Sequence, residues 1–318
     1  MSLSKRKSIK VAVTGATGFL GTALVDHLLT LDYELVALRR KPLTIKDPTE
    51  VSWVFGEIDD TIALSRLMRG ADVVVHCAAA IKALSQNDFY KVNVLGTKAV
   101  MDAASQCGVR RVINISSLAA KEPNLTPYCS SKSDAENYVV NYSDIPEIVN
   151  LRLPVVYGPG DLETLSFFKM ASYGIILVPA NIEISMSMIY IKDVVSAIQY
   201  CCQSNDCAGI FEIDDGKLGG YNWADLAQIV AKVMDRRVRL VRLPPIIFFG
   251  LGVLMSVKAF VTRSPEMLMF GKIPEILHPN WLVSAGKLEG WEPQVKIQNG
   301  FKNTVKWYYS QNILKSYL

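Results

Sequence analysis

A metal-ligand set, a disulfide framework and a strong charge of either sign are all missing from this sequence. Only three histidines occur in 318 residues, and the six cysteines, at 77, 107, 129, 201, 202 and 207, follow neither zinc spacing nor a secreted-domain pattern. No metal is expected, and a reducing compartment is. With 34 basic and 30 acidic residues the formal net charge is +4, too mild for a nucleic-acid footprint. The opening MSLSKRKSIK is basic but runs directly into a strand-like segment, with no signal-peptide apolar region and no small-residue cleavage site. A cytoplasmic location is the expectation. The uncharged stretch PPIIFFGLGVLMSV, 244–257, is shorter than the about 20 residues a transmembrane helix needs. It is expected to line or cover a substrate cleft, with contact to a membrane surface as the alternative. Internal repeats and low-complexity tracts are absent as well.

What is present is a half-apolar chain, enough for a sizeable core. Its first half alternates strand-like and helix-like segments: IKVAVTG, GFLGTALVDHLLTLD, YELVALR, DDTIALSRLMRG, ADVVVHCAA, DFYKVNVLGTKAVMDAASQCG, RRVINISS, a helix from near Tyr128, and EIVNLRLPVVYG. This alternation predicts an α/β fold of Rossmann type, a doubly wound parallel sheet with helices on both faces. After YGPGD the pattern loosens, although SMIYIKDVVSAIQYCC and AGIFEIDD still read as core. The expected division is a dinucleotide-binding core at 1–160 and 188–215, with a smaller, discontinuous substrate lobe at 161–187 and 216–318 carrying a C-terminal helix.

TGATGFLG places Gly15, Gly18 and Gly21 between the first strand and the first helix. There the first glycine allows a tight turn, the second lets a pyrophosphate approach the backbone, and the third lets helix and strand pack closely. The second strand ends in Arg39, followed by Arg40 and Lys41, where NAD-preferring folds carry a carboxylate. Guanidiniums pair with a 2′-phosphate, so NADP(H) is the preferred expectation, with NAD(H) second. Glu57 and Ile58, in FGEIDD, are candidates for the edge and face of an adenine pocket. Ala78, Ala79 and Ala80 end the fourth strand in small side chains that let a cofactor lie against the backbone.

The fifth strand ends at Ser116 and Ser117, and eleven residues later comes Tyr128 in PYCSSK, with Lys132 four positions on. Positions i and i+4 share a helix face. A phenol with a pKa of about 10 is a poor base at neutral pH, and a neighbouring ammonium is expected to favour the phenolate. The pair is then suited to moving a proton to or from a substrate oxygen while hydride passes to or from a nicotinamide.

With TGATGFLG, GEIDD, HCAAA, NVLGT, ISS, YCSSK, LRLPVVYGPGD and MIYIKDV in place, the chain resembles the extended short-chain dehydrogenase/reductases, of the NAD-dependent epimerase/dehydratase type, over nearly its whole length. The resemblance implies Ser117 as catalytic serine, Tyr128 as acid/base and Lys132 as the residue that binds the nicotinamide ribose and tunes the tyrosine. It also implies cofactor contacts from Thr17, Phe19 and Leu20 in the first turn and from Pro154 and Val156 at the sixth-strand exit. Nucleotide-sugar enzymes of this type carry an arginine where this chain has Met186 and asparagines where it has Val155 and Val156. A diphosphate facing Met and Val lacks partners. LRLPVVYGPGD is similar instead to the dihydroflavonol-reductase and 3β-hydroxysteroid-dehydrogenase-like branch. The expected reaction is hydride transfer between NADP(H) and a secondary alcohol or ketone of a small apolar substrate, steroid-, flavonoid- or lipid-like. The alternatives are a nucleotide-sugar epimerase or dehydratase with tightly bound cofactor, and a non-catalytic NADP-binding sensor or assembly subunit. Helices at 86–106 and 128–142 are compatible with a homodimer.

Several further residues carry weaker expectations. His27 and His76 are expected to be packing or surface residues, and His278 is a candidate substrate contact. Asp193 is expected to cap its helix or brace the lobe. Tyr157 is a candidate cleft residue, and the tryptophans at 53, 223, 281, 291 and 307 are read as core anchors.

Overall fold

The computed structural model describes residues 8–42, 47–204, 207–284 and 286–314. Through the first half the chain runs β1 (Ile9–Thr14), α1 (Phe19–Leu29), β2 (Tyr33–Arg39), β3 (Ser52–Phe55), α2 (Thr61–Met68), β4 (Val73–His76), α3 (Gln86–Phe89), α4 (Gly96–Gln106), β5 (Arg111–Ser117), α5 (Pro127–Val140) and β6 (Glu147–Leu153). It continues through β7 (Val155–Tyr157), α6 (Leu165–Ser172), β8 (Ile175–Pro179), β9 (Ser185–Met186), β10 (Met188–Tyr190), α7 (Ile191–Gln203) and β11 (Gly209–Glu212). The last elements are β12 (Tyr221–Asn222), α8 (Trp223–Val233), β13 (Arg239–Leu243), α9 (Pro245–Thr262), α10 (Ile273–Leu277), β14 (Asn280–Trp281) and α11 (Ile297–Ser310).

Seven strands form one parallel sheet in the order β11-β6-β5-β4-β1-β2-β3. Period-two alternation sends Val11, Val13, Val73 and Val75 to one face, where Leu24 and Leu28 of α1 and Val194 and Ile198 of α7 cover them. Ala12, Val74 and Val112 point to the other face, under Leu64 and Leu67 of α2 and Met101 and Ala104 of α4. Burial on both faces explains why these strands read as continuous apolar runs. Strand order reverses between β1 and β4, and the carboxyl ends flanking that crevice are where doubly wound sheets bind ligands.

Two predicted elements are subdivided. EIVNLRLPVVYG breaks at Pro154, which has no N–H to donate, so β6 stays in the main sheet while β7 pairs with β10. The helix predicted across 86–106 contains a π-helical turn, Tyr90–Leu95, between α3 and α4. A third apolar cluster lies outside the sheet. It joins Phe168, Ile176, Met186, Leu226, Phe301 and Tyr308, and Phe19 and Leu20 of α1 pack against it.

Candidate active site

Backbone conformation builds the first part of the site. Gly15 has φ +70°, and a Cβ on it would come within 2.6 Å of the Ala78 amide nitrogen, so the turn lies against the end of β4. A Cβ on Gly21 would lie 2.1 Å from the Gly15 carbonyl oxygen, so α1 sits tight on that turn. Gly18, at the N-cap of α1, meets only the Gly15 oxygen at 3.3 Å, leaving its outer side open. An open face with amides at a helix N-terminus fits a pyrophosphate. Thr17 is exposed beside it, and Phe19 and Leu20 lead into α1 half-buried, with Phe19 beneath the turn at Gly160.

At the end of β2 the two arginines differ. Arg39 is buried: its Nε donates to the Lys41 carbonyl at 2.5 Å, one terminal nitrogen donates to Pro42 at 2.7 Å, and the other pairs with Asp47 at 2.9 Å. Its guanidinium also lies over Trp53, 4.9 Å from the ring centroid. This arginine shapes its own loop and is largely neutralised, whereas Arg40 is exposed. Glu57 is exposed beyond β3, and Ile58 packs on Gly96 of α4.

The loop after β4 is held by a residue that the strand-and-helix pattern did not single out. Asn93, buried in the π-helical turn, accepts from the Ala80 amide at 2.7 Å and donates to the Ala80 carbonyl at 3.0 Å and to Ser131 Oγ at 2.9 Å. It thereby ties the loop at Ala80 to α5, and π turns recur at functional sites because they re-aim a side chain in this way. NVLGT carried that residue, but helical periodicity cannot reveal an i+5 turn. His76 is a core group: its Nε2 and Nδ1 bridge Thr97 at 3.0 Å and Thr14 at 2.7 Å. Thr97 Oγ1 already donates to the Asn93 carbonyl, which leaves Nε2 the donor to Thr97 and Nδ1 the acceptor from Thr14. Burial, then the charge of Lys132, pushes the His76 pKa down to about 3.

Ser117, Tyr128 and Lys132, the trio that the resemblance implies as catalytic, lie beside this loop. Ser116 turns away and donates to Glu136 at 2.6 Å, while Ser117 accepts from the Ala119 amide at 3.2 Å and lies close enough to the Tyr128 phenol to favour its ionised form slightly. Tyr128 sits in the first turn of α5, whose N-cap Thr126 accepts from Cys129. Lys132, 6% exposed, donates to the Ile115 carbonyl at 2.8 Å. Its pKa falls to about 8, chiefly through burial, against the opposing pull of Glu136 and Cys77. The phenol departs from the expected phenolate. Burial first, and the Glu275 carboxylate second, push its pKa well above the ordinary tyrosine value, so it is protonated at neutral pH.

Two further side chains, from the C-terminal part of the chain, complete the surroundings. Lys272, 7% exposed, holds its ammonium 4.0 Å from the Tyr128 ring centroid, donates to the Ile81 carbonyl at 3.1 Å and pairs with Glu275 at 2.8 Å. Glu275 accepts from Thr126 Oγ1 at 2.6 Å. Both lie about 150 residues from Tyr128 in the sequence, with no motif to announce them.

Around the sixth-strand exit, Pro154, Val155 and Val156 are half-buried, and Met186 is buried in β9 between β12 and β14. Tyr157 is not a cleft residue: it is fully buried, edge-on to Phe301 at 5.1 Å, because apolar partners surround its ring. His278 lies 3.8 Å from Glu122 and 4.5 Å, ring to ring, from Trp281. His27 pairs with Gln199 at 2.7 Å. Asp193 accepts from the Gln294 and Val295 amides, bracing the approach to α11. No cluster of metal-ligating side chains occurs among the described residues.

Residues 11–213 match the family described as NAD dependent epimerase/dehydratase. A protein of Caulobacter vibrioides (strain NA1000 / CB15N) described as ceramide reductase is 36% identical over 301 residues, 94% of each chain. UDP-glucose 4-epimerase of Vibrio cholerae is 27% identical over 340 residues, 98% of this chain and 99% of the other. Among solved structures, the Thermus thermophilus UDP-glucose 4-epimerase complex with NAD superposes with TM-score 0.69 at 20% identity, covering 95% of this chain and 99% of the other, a likeness of fold. The chain therefore belongs to the NAD dependent epimerase/dehydratase family and is an NAD(P)-dependent oxidoreductase of the extended short-chain dehydrogenase/reductase type.

Proposed function

We propose that this enzyme reduces a ketone on an apolar, lipid-like substrate to a secondary alcohol, with NADP(H) preferred over NAD(H). The observation that carries the reading is the placement of the Tyr128 phenol, in the first turn of α5, beside Ser117 and with its ring centroid 4.0 Å from the Lys272 ammonium, where burial favours the protonated phenol. A group held neutral by burial is a proton donor at neutral pH, which is what a carbonyl oxygen needs as it gains charge.

When bound, the dinucleotide supplies the hydride. The turn at 15–21 and the loop at 78–80 would hold its pyrophosphate, Glu57 and Ile58 its adenine, and Pro154 and Val156 its nicotinamide. Arg40, with Arg39 shaping the loop, would face the 2′-phosphate. Ser117 holds the substrate oxygen, and Tyr128 gives it the phenolic proton as the carbonyl carbon becomes a C–H. The phenolate left behind takes a proton from water, so one proton is consumed per alcohol formed. Lys132, charged below a pH of about 8, stabilises that transient phenolate and binds the ribose. Met186 and Val155 offer no partner to a diphosphate, and the relative described as ceramide reductase supports a long-chain lipid carrying the ketone.

The second reading, nucleotide-sugar epimerisation, draws on the Vibrio cholerae relative. The test compares NADPH oxidation by a ketone-bearing ceramide-like lipid with epimerisation of UDP-glucose. Lipid-dependent NADPH oxidation that is lost in Tyr128→Phe supports the reduction. UDP-glucose turnover without added cofactor overturns it.

A further inference from the structure

Helix α9 runs 18 residues, past Lys258 to Thr262, and most of it faces outward. At 100° per residue, Ile246, Val253, Leu254, Val257, Phe260 and Val261 fall within an arc of about 120°. All six are exposed, Phe260 by 80%, Val261 by 75% and Leu254 by 64%. The buried positions, Phe248, Gly252 and Ala259, lie on the opposite side. There a Cβ on Gly252 would come within 2.8 Å of Ile273 and 3.0 Å of the Phe270 backbone, and Ser256 Oγ accepts from the Phe270 amide at 2.9 Å. The helix is thus fixed lengthwise to the protein, and its other side is an apolar stripe of a kind that water-facing helices do not carry.

Charge around the stripe is predominantly positive. Between Asp235 and Glu266 the chain holds six basic residues and no acidic one. Arg242 and Arg263 are exposed at the two ends of the helix, and Lys258, which flanks the stripe, pairs with Glu266 at 2.8 Å, leaving the two arginines as the rim cations. Apolar side chains rimmed by cations match the boundary between acyl chains and anionic headgroups. By length and composition the helix could also cross a membrane, but its packing on residues 270–273 along one side favours lying flat.

We propose that α9 docks flat on an anionic bilayer surface. Beneath it, the 3-10 turn Phe270–Lys272 ends in the lysine that lies over Tyr128, so the docked face is one layer from the catalytic phenol. Passage of a lipid ketone from that surface to Tyr128 rests on the reductase reading; the docking itself does not.

The experiment is co-flotation of the full chain with phosphatidylcholine vesicles, with and without phosphatidylglycerol. Wild-type protein is expected to float with the anionic vesicles and to be released as salt rises. Leu254→Glu/Phe260→Glu is expected to lower the bound fraction about tenfold or more, with NADPH binding and melting temperature unchanged. Val257→Ser/Phe260→Ser, a milder pair, covers the case in which the charged pair fails to fold. Absence of wild-type flotation, or flotation unaffected by either pair, overturns the proposal. So does a wild-type dimer that the substitutions convert to monomer, since the stripe then belongs to a second copy. Flotation without lipid-ketone turnover leaves the docking standing and defeats only the reductase reading.

Discussion

Substituting Lys272 and Glu275 should move the pH dependence of catalysis in opposite directions. Lys272 lies 4.0 Å from the Tyr128 ring centroid, and Glu275 is a cause of the raised phenol pKa. Two unit charges 4 Å apart interact by about 4 kcal/mol at an effective dielectric of 20. Spreading the phenolate charge over its ring and screening by the other member of the pair reduce this to about 1.5–3 kcal/mol. At about 1.4 kcal/mol per pH unit, each substitution shifts the phenol by about one to two pH units. The assay is oxidation of the secondary alcohol, in which Tyr128 must act as phenolate. Glu275→Gln is expected to raise the oxidation rate at pH 8 about tenfold, Lys272→Met to lower it about tenfold, and the double variant to return near wild type. Lys272→Met should also destabilise the fold by about 1–3 kcal/mol, less than the about 3–5 kcal/mol of a fully broken buried pair, because Glu275 keeps its bond from Thr126. If both single variants lose rate equally at every pH, the pair only fills space and the electrostatic reasoning fails.

Three further outcomes follow from the geometry. Gly21→Ala forces a Cβ to 2.1 Å from the Gly15 oxygen and should weaken nucleotide binding at least about a hundredfold, read by fluorescence titration. Arg40→Asp should reduce NADPH affinity more than NADH affinity with an unchanged melting temperature, whereas Arg39→Asp brings two carboxylates together at Asp47 and should lower the melting temperature as well. His76, held neutral down to a pH of about 3, binds protons more readily in the unfolded chain, so stability is lost as pH falls from about 6.5 towards 3, by up to about 4 kcal/mol. His76→Gln should flatten that acid limb in thermal melts.

The parallel sheet was legible because both its faces are buried, so Val11–Val13 and Val73–Val75 read as continuous apolar strands. The glycine turn was legible because only glycine fits where Gly15 meets Ala78 and Gly21 meets Gly15. Sequence could place Tyr128 and Lys132 on one helix face but not their protonation, since the phenol's state depends on burial and on Glu275. Arg39 read as a free cation because its partner Asp47 lies across a loop that no periodicity connects. For the stretch 244–257, composition alone could not tell a cleft cover from a surface helix. The closeness of Gly252 to Ile273 gives it an inner side and leaves Phe260 and Val261 outside.

The most direct measurement is isotope transfer from NADPH deuterated at C4 of the nicotinamide to a ketone-bearing ceramide-like lipid, with wild type and Tyr128→Phe side by side. The account predicts one deuterium at the carbinol carbon of the alcohol formed by the wild type, and a loss of at least about a hundredfold in rate in the variant. An unlabelled or unreduced lipid, together with interconversion of UDP-glucose by the protein as purified, would contradict it.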